Sequence, residues 1–287
     1  MTIIWELDFY SRPILDETNK KVWEILICES PLQIDSQPES LFRYAEFCPS
    51  TEINSARLKQ VLQTAIGQAP QPPDRIRFFR QAMTNMITRA CQDLGLPTQL
   101  SRRTLALNQW LQQRQAEVYP TMPGFQAGAN PTVSFAVTPP QPLPDALRGQ
   151  KWAFVSLEAT AFAEMNEWEI DFQEVFPLSL AGLSPNTQIP GLVIFSSRAT
   201  PLAAWMSGLD LACLKFDAGP PARLLLETGV SDRWVLAALN NSKLQAEASQ
   251  FEIAKQQAQQ VHFLAVQTSP DSNSFAGFWL LQEVVLA

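Results

Sequence analysis

Seven arginines lie between residues 75 and 114, in a stretch that contains no lysine and one acidic residue, Asp93. They are Arg75, Arg77, Arg80, Arg89, Arg102, Arg103 and Arg114. A planar guanidinium group pairs with phosphate through two hydrogen bonds and stacks on bases, whereas the ammonium group of lysine acts as a hydrated point charge. The whole chain carries a formal net charge of -7. This concentration of arginine therefore predicts a surface that binds an anion such as phosphate.

The segment RIRFF, residues 75 to 79, has the composition of a short strand. Side chains alternate between the two faces of a strand, so Arg75, Arg77 and Phe79 are predicted to share one face. Basic groups beside an aromatic ring are typical of proteins that bind single-stranded RNA, whose bases are open to stacking. We therefore predict an RNA-binding face here. The remaining residues predicted to contact RNA are Arg80, Arg89, Ser101, Arg102, Arg103 and Arg114.

The segment LSRRTLALNQWL, residues 100 to 111, predicts a helix with Ser101 as its N-cap. That cap places Arg102 and Arg103 in the first turn, where the helix dipole favours anions and opposes cations. A bound phosphate would reverse this penalty, because the free N–H groups at the start of a helix bind anions. The sequence therefore predicts a phosphate site at this helix, backed by the strand RIRFF.

Carboxylates in the first strands allow two other interpretations. Asp8, Glu24 and Glu46 could pair with the arginines inside the folded protein, in which case the arginines are structural. In a nuclease-like core the same carboxylates would hold Mg²⁺. Such sites usually carry a lysine two residues beyond an acid on a strand, and no predicted strand has that spacing. The second interpretation therefore implies a nuclease-like fold with little or no activity.

Alternation of apolar residues and helical periodicity define the elements of the first half. In order, these are strands IIWELDFY, KVWEILICE and LFRYAEFCP, helix STEINSARLKQVLQTAIG, strand RIRFF and helix RQAMTNMITRACQDLG. Ser50 or Thr51 is expected to cap the first helix, Gly67 to end it and Gly95 to end the second. The buried face predicted for the second helix comprises Met83, Met86, Ile87, Ala90, Cys91 and Leu94.

Residues 120 to 150 contain seven prolines and three glycines, which neither a helix nor a central strand tolerates. We expect a linker there, with one edge strand in TVSFAV, between domains at 1–119 and 151–287. The second domain is predicted to hold strands KWAFVSLEA, EWEIDFQEVFP, PGLVIFSS, ARLLLETG, VHFLAVQ and FWLLQEV, and helices TPLAAWMSGL, DRWVLAAL and SKLQAEASQFEIAKQQAQ. Helices and strands alternate in both halves, so the fold class is α/β (α+β), two domains with mixed sheets flanked by helices.

Residue types that support common enzyme chemistry are scarce. His262 is the only histidine, and the four cysteines lie far apart in apolar contexts, as buried free thiols do. No glycine loop of the kind that cradles nucleotide phosphates is present. We therefore expect no catalytic residues, no metal and no cofactor, and interpret the chain as a binding protein and not an enzyme.

The N-terminal segment MTIIWELDFYSRPI alternates from the start and resembles neither a signal peptide nor a transit peptide. No apolar run reaches the roughly 18 to 20 residues of a membrane helix. These features predict a cytoplasmic protein without an integral membrane segment, although peripheral association with a membrane is compatible with them.

Several segments resemble one known family. They are RIRFFRQAMTNMITRA, LSRRTLALNQWL, VYP, PGLVIFSSRATPLAAWMSGL, LLLETGVSDRWVLA and GFWLLQE. They are similar to the Tab/Atab proteins of oxygenic phototrophs, RNA-binding translation activators of chloroplasts with cyanobacterial relatives, and the resemblance spans nearly the whole chain.

This resemblance implies binding to the 5′ leader of a photosystem I reaction-centre mRNA, as a translation activator or biogenesis factor. It also implies a cyanobacterial member of the family, located in the cytoplasm or peripherally at the thylakoid membrane. Photosystem subunits and the translation machinery are further partners that it suggests.

A protein-binding assembly factor without direct RNA contact is the alternative function. Its surface would lie in the second domain, and the residues proposed for it are Arg198, Trp205, Trp279 and Gln282. Trp205 and Trp279 lie in apolar segments, where tryptophan more often belongs to the core than to an interface.

Overall fold

The chain folds into two compact units, each of which combines sheets and helices. The computed structural model describes residues 2–128, 133, 135–284 and 286. Unit 1 comprises Met1–Pro31, Gln37–Ser134 and Val285–Ala287, and unit 2 comprises Leu32–Ser36 and Phe135–Val284. The predicted α/β class with mixed sheets is confirmed. Among the described residues, no helix is both long enough and apolar enough to cross a membrane.

Unit 1 is built on a single five-stranded sheet. Its elements are β1 (Ile4–Leu15), β2 (Lys21–Glu29), β3 (Arg43–Cys48), α1 (Ser55–Gln68), β4 (Arg75–Phe78), α2 (Thr84–Gln92), β5 (Thr98–Leu100) and α3 (Leu105–Gln113). The strand order is β3-β2-β1-β4-β5. Strands β1, β2 and β3 are antiparallel, whereas β4 runs parallel to β1 and β5 parallel to β4. Both ends of the sheet are therefore edge strands, β3 and β5.

The two faces of this sheet differ in chemistry because side chains alternate along each strand. Trp5, Leu7 and Phe9 of β1 are fully buried in an apolar core formed with α1 and α2. Glu6 and Asp8 lie on the opposite face, where the backbone of α3 reaches the Glu6 carboxylate. The sheet therefore separates an apolar core from a second, polar buried layer.

The helices of unit 1 follow the predicted periodicity but differ at their ends. Asn54 caps α1, its Oδ1 accepting a hydrogen bond of 2.9 Å from the Arg57 N–H. The prediction of a cap at Ser50 or Thr51 is wrong, because those residues form a separate 3-10 turn ahead of α1. Gly67 lies inside α1 and does not end it.

The predicted buried face of α2 is confirmed by Ile87, Ala90 and Cys91, each at most 1% exposed. Gly95 follows this helix with φ +71°, the left-handed conformation expected after a helix end.

Unit 2 contains two sheets around a shared apolar core. Its elements are β6 (Gln141–Pro142), β7 (Lys151–Glu158), β8 (Ile170–Glu174), β9 (Gln188–Phe195), α4 (Ala199–Ser207), β10 (Leu211–Asp217), β11 (Arg223–Thr228), β12 (Asp232–Ala238), α5 (Ser242–Gln257), β13 (Val261–Gln267) and β14 (Phe275–Gln282). One sheet has the order β7-β9-β13-β14-β8, and the other has the order β10-β11-β12-β6. Residues of α4 and α5 join both sheets in this core.

Some of the elements predicted after residue 119 differ from the structure. The segment DRWVLAAL forms strand β12 and not a helix, because Trp234 and Val235 pair with the buried residues Leu226 and Leu225 of β11. Strand β10 was not predicted. In the segment TVSFAV, Thr132 and Ser134 lie outside the described residues, and Val133 and residues 135–137 have no strand structure.

The lone histidine and the cysteines are structural. His262 is fully buried, and its Nε2 accepts a hydrogen bond of 2.9 Å from the Leu214 N–H while Nδ1 lies 2.9 Å from the Gln260 carbonyl oxygen. All four cysteines are buried free thiols, as predicted.

Candidate nucleic-acid interface

A network of carboxylates and guanidinium groups fills the polar buried layer of unit 1. Arg12 donates to Asp8 from Nη1 and to Glu24 from Nε, both at 2.8 Å. Arg80 donates from Nε to the second oxygen of Asp8 at 2.6 Å. Glu24 also accepts hydrogen bonds from Arg114 and from the Tyr119 hydroxyl. Neither carboxylate has any exposed side-chain surface, so the guanidinium groups neutralise charges that are sealed from water.

This network confirms the interpretation of structural pairing for Arg80 and Arg114. Both oxygens of Asp8 and of Glu24 accept hydrogen bonds from protein groups. Glu46 pairs instead with Arg57, which lies outside the arginine-rich stretch. Among the described residues, no group of three or more histidine, cysteine, aspartate or glutamate side chains is arranged to hold a metal ion.

The helix at the arginine pair begins later than predicted. Helix α3 starts at Leu105, and its N-cap is Thr104 and not Ser101. The Ser101 hydroxyl accepts a hydrogen bond of 2.9 Å from the Arg103 N–H, which turns the chain before the helix. Arg102 and Arg103 therefore precede the first turn and do not occupy it.

The carboxylate that binds the N-terminus of α3 is the side chain of Glu6. Glu6 Oε2 accepts a hydrogen bond of 2.7 Å from the Leu107 N–H, in the first turn of the helix. Its other oxygen accepts one of 2.6 Å from the Ser30 hydroxyl. The predicted phosphate site at Ser101, Arg102 and Arg103 is therefore wrong. An internal carboxylate, that of Glu6, already binds the N-terminus of α3, where the phosphate was expected.

Burial controls the protonation of this capping carboxyl group. Loss of hydration raises the pKa of Glu6 to about 7, although hydrogen bonds from Ser30 and Leu107 and the charges of Arg77 and Arg103 act in the opposite direction. Glu6 therefore titrates near neutral pH.

We expect Glu6→Gln to remove a pH dependence from the stability of unit 1. The pKa of Glu6 rises from 4.5 to about 7 on folding, so its stabilising effect is complete below about pH 4.5 and is lost as the pH rises through about 7. This change is on the order of 3 kcal/mol. Glutamine can still accept from the Leu107 N–H and can donate to the Ser30 oxygen. The melting temperature of the variant, relative to that of the parent, should rise from about pH 5 to about pH 8. Parallel plots of melting temperature against pH for the two proteins would contradict the role of Glu6.

Five of the nine predicted RNA contacts are buried. Phe79 and Ser101 have no exposed surface, and Arg77, Arg80 and Arg103 are 4%, 6% and 7% exposed. The Arg80 guanidinium stacks 4.0 Å from the centre of the Tyr10 ring and 4.8 Å from that of Phe79. The prediction that Phe79 offers a face to an RNA base is wrong, because an internal arginine and the core already cover that ring.

The other predicted arginines reach the surface. Arg75 and Arg89 are exposed, Arg102 is half-buried, and Arg114 is partly exposed beside Glu24. Arg75 donates from Nη1 to the Gln99 amide oxygen at 3.0 Å, across the pair formed by β4 and the edge strand β5. Arg102 follows the end of β5 by two residues. The structure therefore divides the arginine-rich stretch into buried charges and charges that a polyanion can reach.

The second surface proposed in unit 2 is not a single exposed surface. Arg198 is exposed at the start of α4, but Trp279 is 3% exposed and belongs to the core. Trp205 packs edge-to-face on Trp234 at 5.1 Å. Gln282 is partly exposed and donates to the Gln259 carbonyl oxygen. Burial of Trp279 removes it from any interface.

The sequence-based predictions gave Arg12 and Glu6 no role, although the pattern of residues along β1 indicates one. Glu6, Asp8 and Arg12 occupy even-numbered positions of one strand, so simple alternation places them on one face. Three ionisable groups on one face of a strand that enters the sheet interior indicate a buried charge network.

Comparison with known proteins gives matches to both halves of the chain. A family model described as RNA-binding protein Tab2/Atab2 N terminal matches residues 4–114, and a model of the C-terminal domain of RNA-binding protein Tab2/Atab2 matches residues 130–282. The chloroplastic TAB2 homologue of Zea mays is 41% identical over 287 residues, which is 98% of this chain and 71% of that protein.

The corresponding protein of Arabidopsis thaliana is also 41% identical, over 96% of this chain and 74% of its own length. A solved chain of a simian T-cell lymphotropic virus intasome in complex with a PP2A regulatory subunit aligns with 54% of this chain and 62% of its own length. Its TM-score of 0.27 at 13% identity is too low for a comparison of the folds.

Proposed function

This chain belongs to the Tab2/Atab2 family of RNA-binding proteins, and on that basis we propose that it binds single-stranded RNA. The observation that carries the proposal is the family match, which extends through both units at 41% identity to its relatives. The accessible arginines support it, because the exposed Arg75 and Arg89 and the half-buried Arg102 present guanidinium groups where phosphates can approach.

The overall charge of the chain predicts the character of this binding. A net charge of -7 repels an approaching polyanion, and salt limits this repulsion to roughly the Debye length, about 8 Å at physiological salt. Affinity then depends on local contacts from the few exposed arginines and on the bases themselves. We therefore propose selective binding of modest affinity, in contrast to general binding of any RNA.

The biological role that we propose is in the synthesis of the photosynthetic apparatus. The 5′ leader of a photosystem I reaction-centre mRNA is the proposed target, with translation activation or assembly of the product as the outcome. Photosystem subunits and translation components are the proposed protein partners. The proposed location is the cytoplasm of a cyanobacterium, with peripheral association at the thylakoid.

We further propose that the chain does not hydrolyse RNA. Asp8 and Glu24 are the carboxylates that a metal-dependent nuclease would require at the centre of this sheet. Arg12 joins them, and Arg80 and Arg114 complete their hydrogen bonding. A divalent cation would have to displace these guanidinium groups from a sealed site.

Selection of RNA on the purified chain tests the proposed function. Short single-stranded RNAs of randomised sequence should become enriched over successive rounds, and the enriched RNA should remain intact with Mg²⁺ or Mn²⁺ present. Enrichment of no RNA would favour the protein-binding alternative. Metal-dependent cleavage that disappears in Asp8→Ala would show that the carboxylates are catalytic.

A further inference from the structure

An exposed aromatic ring lies beside two arginines at the β3 edge of unit 1. Arg43, Ala45 and Phe47 alternate along β3 and so share one face. Trp110 of α3 and Arg114 at its C-terminal end lie against that face. We call these five residues the β3 patch. It lies at the opposite edge of the sheet from β5.

Phe47 is the accessible aromatic residue of the β3 patch. It is 36% exposed, and it is the aromatic residue among the exposed large apolar side chains of the described chain. Ala45 is also exposed and has only a methyl group beyond the backbone. The strand surface between Arg43 and Phe47 therefore carries no bulky side chain, so a flat ligand can approach the exposed part of the Phe47 ring.

The two guanidinium groups of the patch are held in place by aromatic contacts. The Arg114 guanidinium lies 5.8 Å from the centre of the Phe47 ring and 5.7 Å from that of Trp110. The Arg43 guanidinium lies 5.5 Å from the centre of the Trp110 ring. Arg114 is also hydrogen bonded to the buried Glu24. Their positions are fixed before a ligand arrives, so little conformational entropy is lost on binding.

We propose that the β3 patch stacks an unpaired RNA base on Phe47, with Arg43 and Arg114 facing the adjoining phosphates. This inference rests on the proposed function and identifies one of its contact sites. An aromatic ring accepts any base by stacking, and arginines beside it attract the phosphate backbone. A protein partner would need a wider apolar surface than Phe47 and Ala45 provide.

The test uses the RNA selected on the parent chain. Phe47→Ala should weaken binding of that RNA by about tenfold, because it removes one stacked base. It should leave the slope of affinity against salt unchanged, because every arginine that faces a phosphate is still present. Phe47→Trp should restore the affinity. Ile253→Ala, which shortens an exposed apolar residue on α5, is the matched control and should have no effect.

The outcomes distinguish a failure of the β3 patch from a failure of the proposed function. Parent-level RNA affinity in Phe47→Ala, with the melting temperature also unchanged, would overturn the β3 patch and leave RNA binding intact. Equal loss of affinity in Phe47→Ala and Ile253→Ala would overturn it as well, since a general reduction of exposed apolar surface would then explain the result. Failure of the parent chain to enrich any RNA would overturn the proposed function and the patch together.

Discussion

Arg12→Ala should lower the free energy of unfolding of unit 1 by about 3–5 kcal/mol, because it leaves buried carboxylates without their shared partner. Arg12 is 3% exposed, and the side chains of Asp8 and Glu24 have no exposed surface. Arg80 and Arg114 would each still hold one carboxylate, but the hydrogen bonds that join the two halves of the network would be absent. Hydrogen exchange of the β1 and β2 amides in increasing urea measures the effect locally.

A surface ion pair in the same unit provides the control for Arg12. Lys59 Nζ lies 3.8 Å from Asp93 Oδ2, and the two side chains are 35% and 53% exposed. Such pairs contribute about 0–1 kcal/mol, so Lys59→Ala should change the exchange of these amides little. Equal effects of Lys59→Ala and Arg12→Ala would show that the buried network adds nothing beyond an ordinary surface contact.

Arg102→Ala and Arg103→Ala should affect different properties, RNA binding and stability respectively, although the two residues are neighbours. Arg103 is 7% exposed and its charge acts on the buried Glu6, so its removal should destabilise unit 1 by about 2 kcal/mol or more, through weaker packing and the missing charge. Arg102 is half-buried at the end of the edge strand β5. Its removal should leave the melting temperature nearly unchanged and weaken RNA binding several-fold.

Thermal melting and RNA affinity, measured together on the folded fraction, separate these two roles. Arg103→Lys serves as an additional control, because it keeps the charge near Glu6 and removes the guanidinium plane. The assignment is wrong if Arg103→Ala melts like the parent and binds RNA poorly. It is equally wrong if Arg102→Ala melts well below the parent.

Local sequence signals were sufficient for most elements of the fold. The segment KVWEILICE forms β2 over the predicted residues Lys21–Glu29, since alternation with β-branched and aromatic residues has a strong preference for a strand. The segment DRWVLAAL has apolar spacing that suits a helix as well as a strand. Pairing with β11 determines that it is a strand. The eight residues of the segment alone do not reveal which strand they pair with.

The roles of the individual arginines could not be deduced from the stretch that contains them. Arg80 pairs with Asp8 from 72 residues away, and Arg114 pairs with Glu24 from 90 residues away. Glu6 caps α3 across 101 residues. Residue type predicts that each guanidinium needs an anion, but only the folded chain determines whether that anion is internal.

The most direct measurement of RNA binding by unit 1 is the salt dependence of RNA affinity in two triple variants. One carries alanine at Arg75, Arg89 and Arg102, and the other carries alanine at the exposed unit 2 residues Arg148, Lys151 and Lys243. Each removes three positive charges, which changes the formal net charge from -7 to -10. If Arg75, Arg89 and Arg102 bind phosphates, only the first variant should lower the slope of log affinity against log salt, by about 0.7 for each phosphate that is no longer neutralised. Equal changes in both variants, or none in the first, would contradict the assignment of these arginines to RNA.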